Sequence, residues 1–165
     1  MNLTIRSAKP DDYEACCILL DQVDALHRDN LPHVYRQSPE GSVRDRDYWT
    51  KLVGDDRAGV LVAEATENLI GLVHLRLQET PPLPILVPRR FVFVDTLVVD
   101  HRHRRKGIAR RLMDAAEKWA IDRQAEQMEL TVLEFNNSAI AFYEELRYET
   151  LNRRMGKALV RKNAS

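Results

Sequence analysis

The sequence predicts an α/β fold built on one mixed sheet with helices on both faces. Three observations predict it. Residues 91–99, Phe-Val-Phe-Val-Asp-Thr-Leu-Val-Val, form a nearly continuous apolar run, the pattern of a central strand covered on both sides. A basic loop and Gly107 follow, and then Ile108, Leu112, Met113, Ala116, Trp119 and Ala120 return at helical spacing. Along the whole chain the periodicities run β-α-α-β-β-β-α-β-α-β, an order that sandwiches a sheet between helices.

The elements follow in order. Leu3 and Ile5 alternate with polar residues, so residues 2–8 read as a strand. Pro10-Asp11-Asp12 opens a helix, with proline and acids where a helix start favours them. Tyr13, Cys16, Cys17, Leu20 and Val23 make its apolar stripe, which fades near Arg28-Asp29-Asn30. Residues 30–41, with Pro32, Pro39 and Gly41, form a loop. Ser42 is the expected N-cap of a second helix reaching about Leu52, with Asp45 in the reciprocal capping position, and Gly54-Asp55-Asp56 ends it. Residues 59–65 and 69–77 read as strands joined by a turn at Glu67-Asn68. Residues 79–89 hold four prolines and form a loop before the central strand. A helix over 107–122, a strand over 128–133, a short helix over 137–146 and a final strand or strand pair over about 148–160 complete the chain. The β-α-β unit of residues 91–133 is expected to be right-handed. With no repeat, low-complexity tract or linker, residues 1–165 read as one domain.

Composition narrows the function classes. Basic and acidic residues number 25 each, so the net charge predicts no polyanionic partner. Residues 101–111 gather six Arg or Lys and two His with no acid, but they lack the interleaved aromatics of a nucleic-acid surface. No apolar run approaches the ~20 residues of a membrane span, and no apolar leader opens the chain. A bridge between the adjacent Cys16 and Cys17 would be badly strained, so both read as small apolar residues, and a cytoplasmic protein is expected. No His/Cys set has metal-ligand spacing, and no Gly-x-Ser-x-Gly nucleophile motif occurs; no metal is expected.

Two motifs carry the chemistry. Arg104-x-x-Gly107-x-Ala109 sets positive charge and backbone N–H groups at a helix N-terminus, an anion site suited to a pyrophosphate. Gly107 lets the backbone approach its ligand, Ala109 keeps the next contact small, and Arg104, Arg105 and Lys106 supply charge. Further on stands Asn136-x-x-Ala139-x-x-x-Tyr143, with Asn136 at a helix start and Ala139 and Tyr143 one turn apart on one face. Asp95 is the single ionisable group within residues 91–99 and needs a partner or a purpose: a salt bridge to an arginine, substrate anchoring, or proton transfer. His74, in a strand, reads as a structural histidine with its hydrogen bonds made.

Together these stretches resemble the GCN5-related N-acetyltransferase (GNAT) family, over roughly residues 3–160 and most densely over 91–148. The resemblance implies a mostly antiparallel central sheet with a splayed strand pair, and acetyl-CoA as cosubstrate. Arg104 through Ala109, including Ile108, would then hold the pyrophosphate. The slot between residues 95–99 and 130–133 would take the pantetheine arm against the backbone of Leu97, Val98 and Val99, a free N–H near Val98 polarising the thioester carbonyl. Asn136 and Ala139 would meet the arm. Asp95 would help deprotonate the amine, directly or through water, and Tyr143 would protonate the departing thiolate or serve as a core tyrosine. The acceptor, a small-molecule or peptide amine, would lie by residues 26–41 and 79–90, where His27, His33, Tyr35 and Arg36 offer an aromatic and mixed charges. A homodimer is expected by the same resemblance. The competing reading is a non-catalytic acyl-CoA sensor. His101 stands where the family often has Pro, and Arg147 where it often has a left-handed Gly.

Overall fold

The computed structural model describes residues 2–38 and 44–159. The chain forms two compact units, Met1–Thr131 and Val132–Ser165.

The first unit holds a five-stranded sheet in the order β1 (Leu3–Ser7), β2 (Ala58–Ala65), β3 (Asn68–Glu79), β4 (Arg90–Val99), β5 (Gln127–Leu130). The first three pairings are antiparallel and β4–β5 is parallel, giving the mostly antiparallel mixed sheet expected. A 3-10 turn at Pro10–Asp12 leads into α1 (Tyr13–Asn30). It is tied to β1 by Arg6, which pairs with Asp12 at 2.7 Å and Glu64 at 2.8 Å. On one face α1 and α2 (Arg46–Val53) bury Cys16, Leu19 and Trp49 against Val60, Val62, Leu72 and Val98. On the other lies α3 (Ile108–Ile121), burying Ile108, Leu112, Met113, Ala116 and Ala120. Gly71 makes this approach possible, because a Cβ there would sit 3.1 Å from the Leu112 side chain.

Three local expectations change. Asp45, not Ser42, caps α2: its carboxylate accepts from the N–H of Asp47 at 2.6 Å and Tyr48 at 3.1 Å, so the helix starts at Arg46. Ser42 lies outside the described residues. The β2–β3 turn is Thr66–Glu67, with Ala65 opposite Asn68. Both turn residues take positive φ, 49° and 64°, as a two-residue hairpin requires to match strand twist. β5 ends at Leu130 rather than 133.

The second unit contains α4 (Asn137–Glu145). The final strand expected over 148–160 is not found among the described residues of that stretch. Leu151 and Met155 stand four apart among Arg153, Arg154 and Lys157, so no apolar face with a two-residue period exists to hold a strand.

Candidate active site

β4 has a neighbour on both sides only in its first half. The register with β5 runs from Phe91↔Gln127 to Val94↔Leu130 and stops, whereas the register with β3 continues to Gly71↔Val99. Antiparallel partners alternate between exchanging hydrogen bonds and turning them outward. Asp100 N–H donates to the Ile70 carbonyl at 2.9 Å, which sets the phase. Thr96 and Val98 therefore direct their peptide groups to β3, and Leu97 and Val99 direct theirs to the edge that β5 has left. The Val98 carbonyl agrees, lying 2.9 Å from where a Gly71 Cβ would stand. The outward N–H groups on either side of Val98 thus belong to Leu97 and Val99, while Val98 is committed to the ladder and the core.

The strand runs into a basic turn. Arg105 (φ 59°) and Gly107 (φ 76°) are both left-handed, and a Cβ on Gly107 would meet nothing within 4 Å. Conformation rather than crowding selects glycine there, and the space in front of it is open. The first bond of α3 is Arg111 N–H to the Gly107 carbonyl at 3.1 Å, so Ile108 and Ala109 present N–H groups with no carbonyl one turn back. No acid stands in this first turn. Arg104 Nε donates to the Val99 carbonyl at 3.2 Å, and Lys106 Nζ to the Arg102 carbonyl at 3.3 Å. Both side chains brace the turn, and Arg105 stands exposed. Open space, outward N–H groups and surplus positive charge suit a diphosphate.

Asp100, which sequence reading did not single out, organises the turn. It is 4 % exposed and caps the short helical turn His101–His103. It accepts from Arg102 N and Nε at 3.0 Å each and from Gln22 Nε2 at 3.1 Å. Gln22 Oε1 in turn accepts from His101 N–H at 3.1 Å, linking α1 to the turn. The Arg102 bonds hold Asp100 far below the usual carboxylate range despite burial. The signal available in sequence was an Asp two residues before a backbone donor at a chain reversal; nothing marked Gln22.

Asp95 is the extra residue of a β-bulge. His74 pairs with Thr96 and Leu75 with Val94, leaving Asp95 without an opposite number. Its carboxylate takes the salt-bridge option: Arg76 Nη2 donates to Oδ1 at 2.6 Å and Arg76 Nε to Oδ2. His74 Nδ1 stands 3.8 Å from Oδ2. Burial lowers the His74 pKa against the pull of Asp95, and Arg76 lowers it further. Its Nε2 is buried without a hydrogen-bond partner among the described residues, and at 3.8 Å Nδ1 is too far from Asp95 for a hydrogen bond, so the expected satisfied histidine is not found. The polar alternation His74-x-Arg76 inside an apolar strand was the sequence signal for this cluster.

In the second unit, Asn136 caps α4, its side chain accepting from Ala139 N–H at 3.2 Å. Tyr143 is half-buried, with Phe142 and Tyr148 ring centroids 5.4 and 5.6 Å away, and burial pushes its phenol up to about 12. It is a neutral proton donor at physiological pH. Arg147 adopts φ 66°, the left-handed conformation ordinarily given to glycine. Of the acceptor candidates, His27 and Tyr35 come together with ring centroids 5.0 Å apart, and Arg36 is exposed in the loop beyond.

An open strand edge that leads into a basic, uncapped helix start suits an extended ligand carrying a diphosphate, as a coenzyme A thioester does. The sequence matches the acetyltransferase (GNAT) family over residues 20–148, and the chain belongs to that family. It is an acetyl-CoA-dependent N-acetyltransferase. A similar curated protein is an N-alpha-acetyltransferase of Saccharolobus solfataricus, 28 % identical over 153 residues, covering 90 % of this chain and 81 % of that protein. A solved mutant of the BH1408 protein from Bacillus halodurans is 29 % identical with a TM-score of 0.89, over 95 % of this chain and 99 % of its own. The ribosomal-protein-alanine N-acetyltransferase of Brucella melitensis biovar Abortus 2308 shares the fold at 22 % identity and a TM-score of 0.63, over 97 % of this chain and 99 % of its own. Among the described residues no helix is long and apolar enough to cross a membrane, and no group of His, Cys, Asp and Glu could hold a metal.

Proposed function

We propose that residues 1–165 act as one N-acetyltransferase domain in which the amine attacks acetyl-CoA directly within a ternary complex. The observation that carries this is the open edge at Leu97 and Val99, continuous with the N–H groups of Ile108 and Ala109. Arg104, Arg105, Lys106, Gly107, Ile108 and Ala109 hold the diphosphate, and Leu97 and Val99 pair with the pantetheine amides. An outward N–H beside Val98 bears the charge that develops on the thioester oxygen. Asn136 and Ala139 meet the arm, and Tyr143 donates its proton to the leaving thiolate. Asp95 draws the proton from the attacking amine, directly or through water. The acceptor is a small-molecule or peptide amine; the archaeal relative, named for α-amines, supports an α-amino group. His27, Tyr35 and Arg36 face this acceptor. Two free thiols accord with a cytoplasmic enzyme. Exposed Leu83, Ile85 and Val87 between β3 and β4 offer an apolar surface for a homodimer.

Tyr143→Phe tests the assignment. Thiol release from acetyl-CoA in the presence of an amine should fall about 10²–10⁴-fold in kcat, the range for loss of a positioned acid, with KM for acetyl-CoA nearly unchanged. Unaltered kcat would remove Tyr143 from the chemistry. A wild-type protein that binds CoA but releases no thiol with any amine would favour a sensor.

A further inference from the structure

The Arg76–Asp95 pair is oddly placed for a structural ion pair. Its partners are 46 % and 22 % exposed, a setting in which such a pair contributes little to stability. The carboxylate comes from the one residue that the bulge inserts, at the point where β4 loses β5. Arg76 spends only Nε and one Nη2 proton on Asp95. The other edge of its guanidinium keeps Nη1 and the second Nη2 proton, a fork that matches a carboxylate. Each Asp95 oxygen likewise keeps a lone pair for an ammonium. Behind them His74 is kept neutral by burial, so the cluster carries no net charge. Phe93 closes one side, with the Arg76 guanidinium 5.6 Å from its ring centroid.

A cation edge adjoining an anion edge complements a ligand with the opposite pair. A simple amine, or a polycation, would gain Asp95 and be repelled by Arg76. We propose that Arg76 is an acceptor-specificity residue and that the preferred acceptor is an amine bearing its own carboxylate a few bonds away. Its carboxylate sits on the free edge of Arg76 while its ammonium faces Asp95. This rests on the acetyl-transfer reading above and adds the substrate class. Two sources share that chemistry: a free amino acid, and a peptide whose first residue is acidic.

The test is thiol release with matched acceptors differing only in the carboxylate. Free L-amino acids are compared with their carboxamides, and short amidated peptides beginning with Glu with those beginning with Gln. The carboxylate member of at least one set should lead by about tenfold or more in kcat/KM, the scale of a charge-assisted bidentate contact. The first set responding alone identifies free amino acids, and the second alone identifies acidic peptides. In Arg76→Gln the ratio should fall to near unity, and in Arg76→Lys it should be intermediate. Because each ratio is taken within one variant, the release of Asp95 cancels. Calorimetric CoA affinity and the melting temperature of both variants show that the cofactor half is intact. Equal rates within both sets, a faster carboxamide, or a preference that survives Arg76→Gln overturns the inference while leaving acetyl transfer standing. Turnover of no acceptor at all overturns both, with CoA binding then reporting on the cofactor half separately.

Discussion

Residues 90–94 and 95–99 are halves of one apolar strand, yet the first half has a neighbour on each side and the second has one. In the first half Phe91 to Val94 are paired with both neighbouring strands. In the second, Leu97 and Val99 keep outward groups, and Asp95, inserted by the bulge, sends a carboxylate onto the face carrying His74 and Arg76. The chemistry thus begins where pairing stops, and it depends on unspent backbone more than on side-chain identity. That explains how a plain Leu-Val-Val can be core and binding surface at once.

The sharpest way to break this contrast is a pair of prolines. Val98→Pro deletes a donor committed to β3 and should cost about 3 kcal/mol or more, seen as loss of a cooperative melt. Leu97→Pro deletes only an outward donor. It should keep a cooperative melt while lowering thiol release about a hundredfold or more. If both variants unfold alike, or Leu97→Pro turns over normally, the alternation assigned to β4 is wrong.

The next effect lies just past the strand. Asp100→Asn should cost about 2–3 kcal/mol in denaturant melts, because it weakens charge-assisted bonds at a buried site. The pH dependence separates this group from His74. The Asp100 pKa is lowered on folding, so its contribution is fully present above about pH 4 and is lost as pH falls further. His74 is also lowered, but as a base. The unfolded chain binds its proton more readily, so stability should decline as pH drops through about 6.5. A His74→Phe variant should flatten the profile between pH 7 and 5, while Asp100→Asn should flatten it only below 4.

The smallest effects concern left-handed residues. Gly107→Ala should cost about 1 kcal/mol by backbone strain alone and weaken CoA about fivefold in calorimetry. Arg147→Gly, the opposite exchange at a matching conformation, should gain about 1 kcal/mol in the melt without changing CoA affinity. Equal and opposite shifts would show that conformation is at stake in both, and that only the turn after β4 couples it to the ligand.

Much of the sheet was legible because its signals are local. The run of residues 91–99, the stripe from Ile108 to Ala120 and the prolines of residues 79–89 each fix an element within a short window. So was the turn around Gly107, since a glycine between a strand and a helix in a basic setting has few other readings. The misplaced cap of α2 and the hairpin turn shifted to Thr66–Glu67 show the limit. Ser, Asp and Asn all suit such positions, and neighbouring choices differ by less than tertiary packing supplies.

By itself the sequence determined the order of elements, the anion-binding turn and the two motifs that match an acetyltransferase, because each depends on residues near one another along the chain. Only the tertiary structure decided that Asp95 is a bulge held by Arg76, that Gln22 anchors Asp100 across 78 positions, and which peptide groups of β4 face outward. Those are matters of register between distant strands and helices. One residue of slip reverses every peptide and side chain on the strand, and no local pattern records the slip.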